Sequence, residues 1–78
     1  MINSVKVYST FACPYCVRAK QFLKDNNVAY EDYDVSQDQQ KADEMVSKSG
    51  QIGVPVLDIN GEIIVGFDKE RIKKALGL

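Results

Sequence analysis

The sequence contains no histidine and no tryptophan, and only two of its 78 residues are cysteines. A structural zinc site needs about four ligands, and without histidine those ligands would have to be thiolates. Two cysteines are too few, so we expect no metal bound within one chain. An iron–sulfur cluster shared by two chains could still collect four thiolates, which leaves a non-enzymatic cluster carrier as an open alternative.

Neither sign of charge is in excess, because ten lysines and arginines stand against eleven aspartates and glutamates, for a net charge of -1. The charges are also interspersed, which argues against a basic surface for nucleic acid. Long apolar runs are missing, and the first residues lack the charged and apolar regions of a signal peptide. We therefore expect a cytoplasmic protein that has neither nucleic acid nor membrane as a partner.

The residues that are present suit one small domain. The chain is 45% hydrophobic and 27% charged, as in ordinary soluble globular proteins. A chain of this size buries about 60% of its surface on folding, so a few elements must supply the whole core. No linker, repeat or low-complexity segment interrupts it, and we predict a single domain over residues 1–78.

Hydrophobic patterns predict four strands and three helices. The strands are expected at residues 5–9, 28–35, 54–59 and 62–65. The first helix should run from residue 14 to residue 26 or 27, with Val17 on its apolar face. The second helix should begin after Ser36 and end at Gly50, and the third should follow residue 68.

Local signals mark the ends of these elements. Pro14 suits the first position of a helix, and Ser36 with Gln39 matches a capping box. Asn60-Gly61 is a strong hairpin signal, and Asp68 can cap the last helix.

The resulting order is βαβαββα. A strand, helix and strand within about thirty residues form a βαβ unit with parallel strands, whereas the later hairpin must be antiparallel. We therefore predict an α/β fold of three layers, in which a four-stranded mixed sheet is covered by three helices. This arrangement resembles the thioredoxin-like fold.

The two cysteines, Cys13 and Cys16, lie where the first strand meets its helix. A permanent disulfide is disfavoured in a reducing compartment, and a pair of buried small apolar side chains is the ordinary alternative. Residues three apart on a helix have Cβ atoms about 5–6 Å apart, close to the range that a disulfide needs. The position of the pair therefore favours a redox-active dithiol.

The helix assigns a role to each thiol. Cys13 stands at the helix N-terminus, where unpaired N–H groups and the macrodipole favour a thiolate that a partner can reach. Cys16 lies in the first turn and is covered by its own helix. We expect Cys13 to attack a substrate disulfide and Cys16 to resolve the mixed disulfide, so that both residues are catalytic.

The sequence resembles the glutaredoxins over almost its whole length. The similarity is carried by Cys13-Pro14-Tyr15-Cys16, Gly53-Val54-Pro55 and Gly66-Phe67-Asp68. It implies a thiol-disulfide oxidoreductase that reduces protein disulfides or glutathione mixed disulfides, with glutathione as reductant and no bound cofactor.

The same resemblance implies a glutathione-binding groove beside the cysteines. Tyr15 would shape it, and Pro55 would follow a cis peptide bond and face the thiols. The backbone of Val54 would pair with the extended tripeptide. Gly66, Phe67 and Asp68 would hold its γ-glutamyl group.

Two positions depart from the glutathione-using pattern. Thr10 stands where many glutaredoxins have a lysine, and Lys69 stands where an acidic residue is common. Lys48 or Gln51 could supply the lost cation or hydrogen-bond donor. The Gly-Phe pair is also similar to the redoxins that serve ribonucleotide reductase and are recharged by thioredoxin reductase. The expected partners are thus glutathione or thioredoxin reductase together with disulfide-containing proteins, and we expect a monomer.

Overall fold

The computed structural model describes residues 4–78 of the chain, and these residues contain seven regular elements. In chain order they are β1 (Val5–Ser9), α1 (Pro14–Asp25), β2 (Glu31–Asp34), α2 (Gln39–Ser49), β3 (Val56–Ile59), β4 (Glu62–Val65) and α3 (Lys69–Leu76). The predicted order βαβαββα is confirmed. In the described residues, every helix is too short or too polar to cross a lipid bilayer.

The strands form one mixed sheet in the order β2-β1-β3-β4. β1 and β2 are parallel, while β3 runs antiparallel to both β1 and β4. Tyr8, near the end of β1, pairs with Val56 at the start of β3. At this end of the sheet, the loop that carries the cysteines therefore lies next to the loop that precedes β3.

Apolar side chains fill both faces of the sheet, which confirms the three layers. The larger core cluster joins strand residues to α1 and α3; its buried members are Val5, Val7, Ala19, Leu23, Leu57, Ile59, Ile64, Ile72 and Leu76. The smaller cluster joins Tyr8 and Val56 to Met45 of α2. Successive residues of β1 and of β3 thus point to opposite faces of the sheet and pack against different helices, as side chains along a strand do.

The sequence places the start of β2 three residues too early. Asn27 adopts a left-handed conformation with φ 58°, and the Val28 N–H donates to the Leu23 carbonyl at 2.9 Å. The backbone of Val28 therefore still closes the C-terminal turn after α1, and the strand begins only at Glu31. Val17, expected on the apolar face of α1, is 57% exposed.

The predicted capping box at Ser36 is wrong. Ser36 donates its N–H to the Asp34 carboxylate at 2.9 Å, whereas the Asp38 carboxylate accepts from the Lys41 N–H at 3.1 Å. Asp38 is consequently the N-cap of α2, which begins at Gln39. β3 also begins later than predicted, at Val56, after Pro55, which has no N–H to give to a sheet.

A polar network fixes α2 to the sheet. The hydroxyl of Tyr8, a residue that is 0% exposed, donates to the Glu44 carboxylate at 2.8 Å and accepts from the Lys48 ammonium at 3.0 Å. Lys48 also donates to Asp58 of β3 at 2.7 Å. Hydrogen bonds from Tyr8 and from Lys41 lower the pKa of Glu44 to about 2. One carboxylate is thus tied to a strand and to its own helix.

We predict that Glu44→Gln lowers the free energy of unfolding at neutral pH by about 1 kcal/mol, because the charge-assisted bonds are lost. The ordinary pKa of the group is 4.5 and its folded value is about 2. Its stabilisation is therefore present above pH 4.5 and is lost as the pH falls towards 2. Denaturant titrations across this range should show a smaller acid-induced loss of stability in the variant.

Glu70→Gln is the matched control, since Glu70 is exposed on α3 and undergoes the same chemical change. Its unfolding free energy should change less than that of Glu44→Gln, because Glu70 has no part in the network beneath α2. If Glu44→Gln behaved in the same way as this control, the network would not stabilise the fold.

Candidate active site

The site is built on the N-terminus of α1. Cys13 is the N-cap: its backbone is extended, with φ -106° and ψ 109°, and its sulfur accepts the Cys16 N–H at 3.2 Å. The Val17 N–H donates to the Cys13 carbonyl at 3.2 Å and begins the helix. Pro14 occupies the first helical position, where a missing N–H leaves no bond unmade. The helix start therefore holds one thiol against the N–H of the other cysteine.

The two thiols differ in exposure and in acidity. Both cysteines are free, Cys13 is half-buried, and Cys16 is 0% exposed. Burial, followed by the hydrogen bond to Cys13, raises the pKa of the Cys16 thiol to about 12, although a hydrogen bond from the Thr10 backbone opposes this. Cys16 is therefore protonated at neutral pH, and Cys13 is the sulfur that a disulfide outside the protein can approach.

The loop before β3 forms the opposite wall of the site. The Cys13 sulfur lies 3.9 Å from the Val54 carbonyl oxygen. The Val54–Pro55 peptide bond is cis, as the resemblance implied, and Pro55 is buried. The Gly66 N–H donates to the Pro55 carbonyl at 2.8 Å. Backbone contacts thus lead from the thiol through Val54 and Pro55 to Gly66, which precedes α3.

Phe67 and Asp68 follow at the start of α3, and both side chains have structural contacts. The Phe67 ring packs against the larger core cluster, with its centroid 6.1 Å from that of Phe22. The Asp68 carboxylate caps α3 by accepting the Arg71 N–H at 3.2 Å. Gly66 has φ 81°, a conformation that glycine adopts without strain. Their predicted role in holding a γ-glutamyl group stays a prediction.

The two candidates for a replacement cation or donor are placed differently. The Lys48 ammonium contacts Asp58 at 2.7 Å and Glu44 at 3.3 Å in the network beneath α2. Gln51 stays close to the loop before β3, since its amide nitrogen lies 3.4 Å from the Gly53 carbonyl oxygen. Lys48 is therefore engaged elsewhere, and the suggestion that it replaces the missing lysine is not supported.

Two apolar side chains near the site escaped the sequence analysis. Phe11, in the loop before Cys13, is 80% exposed, and Ile52, two residues before Val54, is 83% exposed. Tyr15 is 57% exposed, with the Arg18 guanidinium 5.3 Å from its ring centre. Phe11 could have been noticed in the sequence as a bulky apolar residue in a turn. Each of the two loops therefore presents one bulky apolar side chain to solvent.

A polar group behind Cys16 was also missed. Lys20 lies one turn after Cys16 on α1 and forms a salt bridge of 3.0 Å with Asp32 of β2. The Ser9 hydroxyl donates to the same carboxylate at 2.7 Å. The spacing of four residues between Cys16 and Lys20 was the available signal, but the contact with Asp32 depends on how β1 and β2 pair.

Comparison with known proteins places this architecture in a family. The family model for glutaredoxin matches residues 5–64. A glutaredoxin-like 8.6 kDa protein from the rubredoxin operon of Clostridium pasteurianum is 46% identical over 72 residues, which are 92% of this chain and 96% of that protein. Its own function is uncharacterised.

Two further relatives agree. Glutaredoxin 3 of Escherichia coli K12 is 34% identical over 83% of this chain and 78% of its own. The crystal structure of a glutaredoxin from Archaeoglobus fulgidus superimposes with a TM-score of 0.87 at 26% identity, covering 94% of this chain and 85% of that one. The fold is therefore thioredoxin-like, and the chain belongs to the glutaredoxin family.

Proposed function

We propose that the protein is a dithiol thiol-disulfide oxidoreductase in which Cys13 is the nucleophile and Cys16 the resolving thiol. One observation carries the proposal: the reachable sulfur caps α1 and accepts the N–H of a cysteine that is itself buried and protonated. N–H groups at a helix N-terminus stabilise negative charge on an atom beside them. Cys13 therefore has the position that an attacking thiolate needs.

The reaction has two exchange steps. The Cys13 thiolate attacks one sulfur of the substrate disulfide, forming a mixed disulfide and releasing the other sulfur as a thiolate. Cys16 then loses its proton and attacks the Cys13 sulfur, which releases the second substrate thiolate and leaves a Cys13–Cys16 disulfide. The substrate gains two electrons and the protein loses two. A reductant must return them before the next cycle.

The wall opposite the thiol suits an extended substrate. Val54 lies beside the Cys13 sulfur and precedes a proline, so its backbone groups can pair with a peptide that runs along the loop. Phe11 and Tyr15 lie two residues before and after Cys13 in the sequence, Ile52 lies two residues before Val54, and all three side chains are exposed. This supports the reduction of protein disulfides and of glutathione mixed disulfides alike.

The choice of electron donor is proposed from the motifs and from the charges around the site, which favour different reductants. Glutathione is the donor that we propose first, because the dithiol motif and the Val54-Pro55 loop have the glutaredoxin form. Recharging by thioredoxin reductase is the second candidate. It is favoured by Thr10 and Lys69, which depart from the glutathione-using pattern, and by the engagement of Lys48 with Asp58.

Exchanging each cysteine in turn tests the assigned roles. We expect Cys13→Ser to abolish the reduction of both protein disulfides and glutathionylated substrates, since the attacking sulfur is lost. Cys16→Ser should keep measurable activity on glutathionylated substrates, because glutathione can resolve that mixed disulfide, and should lose activity on protein disulfides. Initial rates on both substrate types measure this.

Circular dichroism of both variants shows whether the helix start survives, since serine is itself a good N-cap. Activity that persists in Cys13→Ser would refute the assignment of the nucleophile. Equal loss of both activities in Cys16→Ser would contradict a resolving role that is confined to protein disulfides.

A paired reductant assay tests the electron donor. The same protein and the same substrate are given either glutathione with glutathione reductase or thioredoxin reductase alone, and NADPH consumption is followed. We expect turnover at least about tenfold faster with glutathione, a difference of about 1.4 kcal/mol in the rate-limiting barrier. Cys13→Ser supplies the background rate in both arms. Faster turnover with thioredoxin reductase would replace the first candidate by the second.

A further inference from the structure

A charged cluster lies behind the resolving cysteine. Its centre is Asp32 of β2, which contacts the Lys20 ammonium at 3.0 Å and the Ser9 hydroxyl at 2.7 Å. Ser9 is 2% exposed at the end of β1, and the Lys20 side chain is 23% exposed. Asp32 is thus held from β1, and it in turn fixes the direction of Lys20.

Lys20 and Cys16 share one face of α1. Residues four apart on a helix are neighbours on its surface, with Cβ atoms about 5–6 Å apart. Lys20 lies close enough to Cys16 to favour the thiolate form of the sulfur, and each group acts on the charge of the other. The Lys20 ammonium is thus a positive charge on the same face of α1 as the Cys16 sulfur, and Cys16 is fully buried.

We propose that Lys20, anchored by Asp32, is a positioning residue for the resolving step and stabilises the Cys16 thiolate as that thiolate forms. The inference rests on the proposed dithiol function. In the mixed disulfide, Cys13 is already bonded to the substrate sulfur and can no longer accept a hydrogen bond as a thiolate. The Cys16 proton leaves to solvent, the Cys16 sulfur bonds to Cys13, and the substrate thiolate departs.

The need for such a group follows from burial. Desolvation is the largest cause of the raised pKa of Cys16, so a neutral surrounding would leave little thiolate at neutral pH. Two ionisable groups act on Cys16, namely Cys13 at the N-cap and Lys20 of α1, and Lys20 is in turn acted on by Asp32 and Tyr30. Cys13 opposes ionisation of Cys16, whereas Lys20 favours it.

Reaction with an aromatic disulfide, dithiobis-nitrobenzoate, separates the two thiols. Attack by Cys13 releases one coloured thiolate at a rate proportional to reagent concentration. Resolution by Cys16 releases a second at a rate independent of it. In stopped-flow measurements, we expect Lys20→Gln to leave the first phase unchanged and to slow the second about tenfold, the effect of roughly one pKa unit.

The pH profile gives a readout that a purely structural role would not change. The rate of the second phase should rise with pH as Cys16 ionises, and Lys20→Gln should displace this rise upward by about one unit. Lys20→Arg keeps the charge and should restore most of the rate. Lys24→Gln is the matched control, because it removes a charge from an exposed position one turn further along α1 and should leave both phases unchanged.

Three outcomes would overturn the inference: a second phase in Lys20→Gln as fast as in Lys24→Gln, an equal slowing of both phases, or a Lys20→Arg variant as slow as Lys20→Gln. Failure of the dithiol mechanism itself would look different. The unsubstituted protein would then release one thiolate per chain, with no second phase for Lys20 to affect. Thermal unfolding of each variant checks that the fold is intact.

Discussion

The site depends on one hydrogen bond, from the Cys16 N–H to the Cys13 sulfur at 3.2 Å. The first N–H groups of any helix lack partners within the helix, and a side chain at the N-cap usually supplies one. Here that side chain is the Cys13 thiol, the nucleophile of the proposed reaction. The bond that caps α1 therefore also holds the Cys13 sulfur against the backbone N–H of Cys16.

The sheet topology gives the capped thiol its surroundings. β1 ends beside the beginning of β3, so the loop carrying Cys13 meets the loop carrying Val54 and Pro55. β2, the parallel neighbour of β1, ends on the same side of the sheet, and its Asp32 lies behind α1, where it binds Lys20. Strands that are distant in sequence thus provide a backbone wall on one side of the dithiol and an anchored ammonium behind it.

Much of the fold and the start of the helix that carries the cysteines could be predicted from the sequence, because the signals for them are local. Pro14, Asn60-Gly61 and the cap at Asp68 each act within a few residues, and all three elements they mark are confirmed. Ser36 failed as a cap because the Asp34 carboxylate takes its N–H, leaving Asp38 to cap α2. The ion pairs of Lys20 with Asp32 and of Lys48 with Asp58 could not be predicted, since each joins a helix to a strand that is distant in sequence.

Those two lysines also bear on what the site can recognise. Asp32 holds Lys20, and Asp58 and Glu44 hold Lys48, so both ammonium groups are directed towards the protein's own carboxylates. Around the thiol, by contrast, Phe11 and Ile52 are at least 80% exposed, beside the backbone of Val54. Apolar contacts and backbone pairing depend little on the length or the charge of the substrate. A pair of cations, in contrast, would select a small anionic tripeptide. With Lys20 and Lys48 held by carboxylates, the groove that we propose for an extended substrate relies on contacts that a polypeptide disulfide and a glutathione mixed disulfide can both make.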